Sequence, residues 1–220
     1  IDLVIPRGGE DLIRRVEAQA RMPVLKHYQG NCHVYVEETA DPSLVRRVVV
    51  DAKCQRPGTC NAAEKLLVDA GWARRHLGDL GTALSERGVK LRACERSMAM
   101  LPGATPATPE DWDTEYLDLV MGVKIVDGLD EAMAWIGNHG SGHSEAILTS
   151  NPEASSRFTR EVDAAAVLVN ASTRFHDGGE LGLGAEIGIS TGKFHARGPC
   201  GLRELTSYKY VVRGNGQTRG

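Results

Sequence analysis

The run Cys54-Gln55-Arg56-Pro57-Gly58-Thr59-Cys60-Asn61 sets a cysteine just beyond a Pro-Gly break. The apolar stretch Leu44–Ala52 before it has helical character. Pro57 disfavours helix at Arg56, and Gly58 permits a bend that most residues resist. A thiol at such a bend is accessible, with backbone N–H groups beside it free to face a ligand. Attack on a carbonyl needs those two things, an open sulfur and donors for the oxyanion. Cysteine is more often a small buried apolar residue, so local sequence leaves both readings of Cys60 open. Cys54 falls on the helical run and is expected to be a bystander.

A second group lies at Asn170–Phe175. Arg174 follows a predicted strand, where α/β sheets gather ligand-binding residues. Its guanidinium could hold a carboxylate or phosphate through paired hydrogen bonds, or lie idle on the surface. Asn170 and Ser172 either hydrogen-bond a substrate or hold their own loop. A third candidate is the turn Arg7-Gly8-Gly9, between strand-like Ile1–Pro6 and helical Glu10–Arg21. Strand, glycine turn and helix can seat an anion at a helix N-terminus, and the same arrangement serves as a plain connection. No metal site is expected. His139 and His143 stand four apart, but Gly140 and Gly142 interrupt any helix there. Cys54 and Cys60 lack a second pair at zinc-site spacing.

These residues need a scaffold, and the chain alternates strand and helix signals. Cys32–Glu37, Lys65–Val68, Val89–Ala93, Val120–Val126, Ala146–Thr149 and Ala166–Asn170 read as strands. Between them, Asp41 is a plausible N-cap with Pro42 at the first helical position, for a helix running to about Gln55. Trp72–Arg87, Leu129–Asn138 and Glu153–Val162 are the other predicted helices. Thr105–Asp113 reads as a surface loop. Eight glycines between Ala171 and Gly201 argue for a long functional loop, and Leu205–Val212 for a final strand. The alternation predicts an α/β fold on a largely parallel sheet.

Composition excludes several classes. At 220 residues, 41% hydrophobic and 25% charged, the chain has the make-up of a globular protein. A net charge of −3 gives no basic footprint for nucleic acid or an anionic membrane. No apolar run approaches the roughly 20 residues that span a bilayer. Five scattered cysteines do not form a disulfide framework. A reducing, cytoplasmic setting is expected. Ile1 stands within a strand-like run, so the chain is read as part of a longer one.

The segment A-K-C-Q-R-P-G-T-C-N-A-A-E-K-L-L-V around Cys60 resembles the active-site segment of gamma-glutamyl phosphate reductases, a branch of the aldehyde dehydrogenase superfamily. The likeness continues through Ile1–Gly9, Gly30–Val36, Val169–Phe175, Leu181–Thr191 and His195–Pro199, in the family's order. It implies the C-terminal half of a proline-biosynthesis enzyme that reduces L-glutamyl 5-phosphate with NADPH through a cysteine thioester. Cys60 would be the nucleophile. Asn61, Asn170, Ser172 and Arg174 would stand on the substrate side, with Gly8, Gly9 and Glu115 on the cofactor side. The implied layout is the end of a dinucleotide-binding domain at 1–30 and a catalytic thiol domain at 31–170. A glycine-rich pocket loop would follow at 171–220, with an oligomerisation arm whose strand pairs in a homo-oligomer. The alternatives are a non-catalytic fragment acting in subunit association and a cysteine hydrolase with a histidine base.

Overall fold

The computed structural model describes residues 1–219. Seven strands form one sheet: β1 (Cys32–Val36), β2 (Ala63–Asp69), β3 (Lys90–Ala93), β4 (Thr105–Pro106), β5 (Val120–Val126), β6 (Ser144–Leu148) and β7 (Ala166–Val169). Their spatial order is β4-β3-β5-β2-β1-β6-β7, and every ladder is parallel. The expected α/β architecture is present. Both faces are covered, as parallel sheets require.

The period-2 alternation of side chains divides the core in two. Val34, Val36, Leu66, Val68, Val123 and Ile125 pack against α2 (Pro42–Cys54) and α3 (Ala70–Ser85) through Val45, Val49, Trp72 and Leu77. Tyr35, Leu67, Val126 and Ile147 face α5 (Leu129–His139) and α6 (Pro152–Glu161) through Ala132, Ile136 and Phe158. Start signals read from sequence operate as expected at α2. The Asp41 carboxylate accepts the Leu44 N–H at 2.7 Å, and Pro42 opens the helix. The short α4 (Glu95–Met98) follows β3, and α1 (Glu10–Gln19) precedes the sheet.

Three local expectations are corrected. Leu205–Val212 is not a strand: it has no ladder partner, and Tyr208, Tyr210 and Val212 are more than four-fifths exposed. A strand is stable only beside another edge, and this segment meets none among the described residues. Ile1–Pro6 forms a single bridge, Val4 to Val24, rather than a strand. Thr105–Asp113 is not wholly loop, since β4 joins the sheet edge and Pro109–Trp112 makes a 3-10 turn. The glycine-rich stretch contains a small antiparallel pair, β8 (Gly188–Ser190) with β9 (Gly198–Cys200).

Candidate active site

Because all seven strands run one way, the segments entering them gather at one edge of the sheet. Cys60 lies on the connection from α2 to β2, at that amino edge. The entries to β1, β5 and β6 bring Gly30, Glu115 and His143 to the same place. Ligands of open α/β sheets usually collect at the opposite, carboxyl edge. The sequence reading of Arg174 relied on that rule, and the chain leaves β7 and doubles back across it.

Cys60 is half-buried, and the polypeptide around it is fixed by short-range bonds. Thr59 Oγ1 donates to the Arg56 carbonyl at 2.8 Å, and Ala62 N–H to the Thr59 carbonyl at 2.9 Å. The Cys32 thiol donates to the Cys60 carbonyl at 3.1 Å. Gly30 passes so close that a Cβ there would lie 1.7 Å from the Cys60 carbonyl oxygen. Only glycine permits that approach. Gly58 proves less special. It is exposed with no left-handed backbone angle, and an added Cβ would come no nearer than 3.6 Å to the Leu117 carbonyl.

A cavity of about 770 Å³ opens beside the thiol. Its wall includes Cys60, Gly8, Gly9, Glu115, His27 and Glu186. The thiol and all three cofactor-side candidates therefore share one space. Glu115 Oε1 accepts the Gly30 N–H at 2.8 Å, and burial holds its carboxyl above the ordinary range. Burial, then the carboxylates of Glu115 and Glu186, push the Cys60 thiol up to about 11, while Arg174 acts in the opposite sense.

The substrate-side candidates separate. Asn61 is buried, and its amide donates to the His176 carbonyl at 3.1 Å. The Arg174 guanidinium bonds to Asn61 Oδ1, and its Nε to Gln55 Oε1 at 2.8 Å. Ser172 Oγ accepts the Arg174 N–H at 3.3 Å and caps the 3-10 turn Thr173–Phe175. These three brace the Cys60 segment from outside. Asn170 stands at the carboxyl end of β7, the far edge from Cys60. Its side chain accepts the Thr149 N–H and donates to the Thr149 carbonyl, both at 2.9 Å.

Two histidines were missed as neighbours of the thiol. One ring nitrogen each of His27 and His143 lies with Cys60 Sγ in a group whose members are all within 4.8 Å of one another. His27 Nδ1 sits 2.9 Å from the Ile189 carbonyl. A carbonyl only accepts, so Nδ1 is the donor in this contact. His143 is fully buried, with Nδ1 2.7 Å from Ser144 Oγ, which lies 2.8 Å from His176 Nδ1. Burial, then the neighbouring His176 and His27, lower His143 well below its usual range. Burial brings His176 down to about 4. Residues 27, 60 and 143 are far apart in sequence, and no local spacing could have joined them.

The parallel sheet with its two helical layers is an aldehyde dehydrogenase-like fold. The crystal structure of an acetylating aldehyde dehydrogenase from Geobacillus thermoglucosidasius superposes with a TM-score of 0.73 at 17% identity, covering 99% of this chain and 58% of that one. The NADP-dependent glyceraldehyde-3-phosphate dehydrogenase of Bacillus halodurans, solved complexed with NADP, gives 0.64 at 17% identity over 78% of this chain and 44% of its own. No protein-family model matches the chain.

The curated gamma-glutamyl phosphate reductase of Rhodopirellula baltica is 58% identical over all 220 residues, which cover 51% of that protein. The crystal structure of the Thermotoga maritima gamma-glutamyl phosphate reductase superposes at a TM-score of 0.95 with 53% identity, over 100% of this chain and 53% of the other. Over its whole length the chain is similar to gamma-glutamyl phosphate reductases, and it spans about half the length of the curated relatives it matches.

Proposed function

We propose that the full-length protein reduces L-glutamyl 5-phosphate to L-glutamate 5-semialdehyde, with release of phosphate and with NADPH as reductant. The observation that carries this reading is the single cavity on which Cys60, the Gly8-Gly9 turn and Glu115 converge, in a chain more than half identical to named reductases. The Cys60 thiolate attacks the acyl carbon, a C–S bond forms, and the C–O bond to phosphate breaks. The thioester carbonyl then accepts a hydride, its oxygen takes a proton, and collapse of the thiohemiacetal returns the thiol. NADPH, when bound, supplies that hydride.

The cavity suits the nicotinamide end of such a cofactor better than its phosphates. Glu115 offers a half-buried carboxylate to ribose hydroxyls. The first turn of α1 carries Glu10 and Asp11, which repel a phosphate at that helix start. Asn61, Ser172 and Arg174 position the Cys60 segment, and Arg174 adds positive charge that favours the thiolate. Leu205–Val212, without a ladder partner among the described residues, is assigned to pairing with a second copy in a homo-oligomer.

The test uses the full-length protein in the oxidative direction, with semialdehyde, phosphate and NADP. Cys60→Ser should end NADPH formation, and Cys54→Ala should retain most of it. Loss of turnover in Cys54→Ala with activity kept in Cys60→Ser would overturn the nucleophile. Release of acid from an acyl substrate without nicotinamide cofactor would instead support a hydrolase.

A further inference from the structure

We propose that Cys60, His27 and His143 form a zinc-binding site, and that Zn²⁺ held there reversibly blocks the thiol. The blocking half rests on the function proposed above, whereas the binding half stands independently of it. The three ligand atoms already lie within 4.8 Å of one another. One thiolate and two imidazoles are a donor set that zinc favours. Bonds of about 2.3 Å to sulfur and 2.0–2.1 Å to nitrogen give tetrahedral edges of about 3.4–3.6 Å. Rotation of the half-buried Cys60 and His27 side chains, by roughly the 1 Å difference, closes the group. Cys60 and His27 both line the cavity, and a fourth position would be left for water, as in zinc sites with three protein ligands.

The outer partners point the same way. His27 donates from Nδ1 to the Ile189 carbonyl at 2.9 Å, so Nε2 is the nitrogen left for a metal. His143 has Nδ1 at 2.7 Å from Ser144 Oγ, and Ser144 in turn reaches His176 Nδ1 at 2.8 Å. With the protons running from His143 through Ser144 to His176, the His143 Nε2 lone pair is free. Ligating histidines are commonly held in this manner through their other nitrogen. The independent observation is that His143, with no exposed surface, has no hydrogen-bond partner at Nε2. Buried polar atoms in native proteins are rarely left so, and hydride transfer at Cys60 needs no second histidine. Binding is a ligand exchange without redox change: the Cys60 S–H loses its proton to solvent as the S–Zn bond forms.

The experiment takes full-length protein freed of metal by a chelator. Stoichiometric Zn²⁺ should protect Cys60 from iodoacetamide, read at that residue by mass spectrometry. Co²⁺ should give a thiolate-to-cobalt charge-transfer band that Cys60→Ser removes. His143→Ala, and His143→Gln as the better-filling variant, should weaken zinc binding by about 100-fold or more, as should His27→Ala. Unchanged zinc affinity in the folded His27 and His143 variants, or unprotected Cys60 at full zinc occupancy, would overturn the site. Zn²⁺ should stop wild-type turnover and EDTA restore it. A cobalt band with turnover unaffected by zinc would overturn the blocking role alone. A Cys60→Ser protein that still turns over would count against the proposed function and leave the metal site standing.

Discussion

The chemistry at Cys60 is set by a conflict between access and charge. In the proposed reaction the thiolate is the nucleophile, yet burial and two carboxylates in the same cavity push this thiol up to about 11. The sign is plain: below that value, each unit of pH raises the thiolate fraction about tenfold, and with it the rate of alkylation. Iodoacetamide labelling of Cys60 from pH 7 to 9 should therefore climb steadily without a plateau, and a plateau near pH 7 would contradict the assignment. Glu115→Gln keeps an oxygen for the Gly30 N–H and removes the charge that disfavours the anion. The thiol should then ionise at lower pH, and labelling at pH 8 should quicken several-fold. Gly30 makes the sharper test of position. Its missing Cβ leaves room for the Cys60 carbonyl, and alanine would displace that segment. Since a misplacement of about 1 Å can cost about 10²-fold, Gly30→Ala should lose at least that factor in kcat while circular dichroism stays native.

Among the elements, the join of α2 to β2 governs where the thiol sits. Lys53, near the end of α2, and Glu64, near the start of β2, form an ion pair at 3.0 Å with neither side chain exposed. Burial lowers Lys53 and raises Glu64 despite their mutual attraction, so the pair fixes position more than it adds stability. Removing one partner strands a buried charge, which costs about 3–5 kcal/mol. Lys53→Met should show that loss in urea denaturation, and Lys53→Met with Glu64→Leu should recover part of it. Full recovery is not expected, because Glu64 also accepts the Tyr116 and Leu117 N–H groups at 3.3 Å. The elements themselves were largely legible: Val120–Val126 matches the expected strand, and the Asp41–Pro42 start of α2 was readable from residue chemistry alone. Cys60 stood out in its own segment, which left its role open. His27, His143 and Gly30 did not, because parallel crossovers assemble them from distant entries to the sheet. Leu205–Val212 misled for a related reason: its β-forming residues record a preference, and among the described residues no edge pairs with them.

At the scale of the whole molecule, cofactor affinity separates a catalytic scaffold from a complete enzyme. The cavity beside Cys60 carries the Gly8-Gly9 turn and Glu115, which the proposed function assigns to the reactive end of a dinucleotide. The helix start nearest to it opens with Glu10 and Asp11, which repel a phosphate there, while Arg7 and Lys26 also line the cavity. The chain matches about half of its relatives' length, and under the proposed function the full-length protein supplies the remaining contacts. A ligand near its dissociation constant stabilises the native state by only about 0.4 kcal/mol, and at 100 times that concentration by about 2.7 kcal/mol. For a protein of this size, 1 kcal/mol moves the melting midpoint by about 2–4 °C. Thermal unfolding of the 220-residue chain should thus shift by about 1 °C or less at micromolar NADPH. The full-length protein should shift by several degrees under the same conditions. An equal shift in both would place the whole cofactor site within this chain and require Glu10 and Asp11 to tolerate a phosphate; replacing both with the neutral amides would then raise the affinity further.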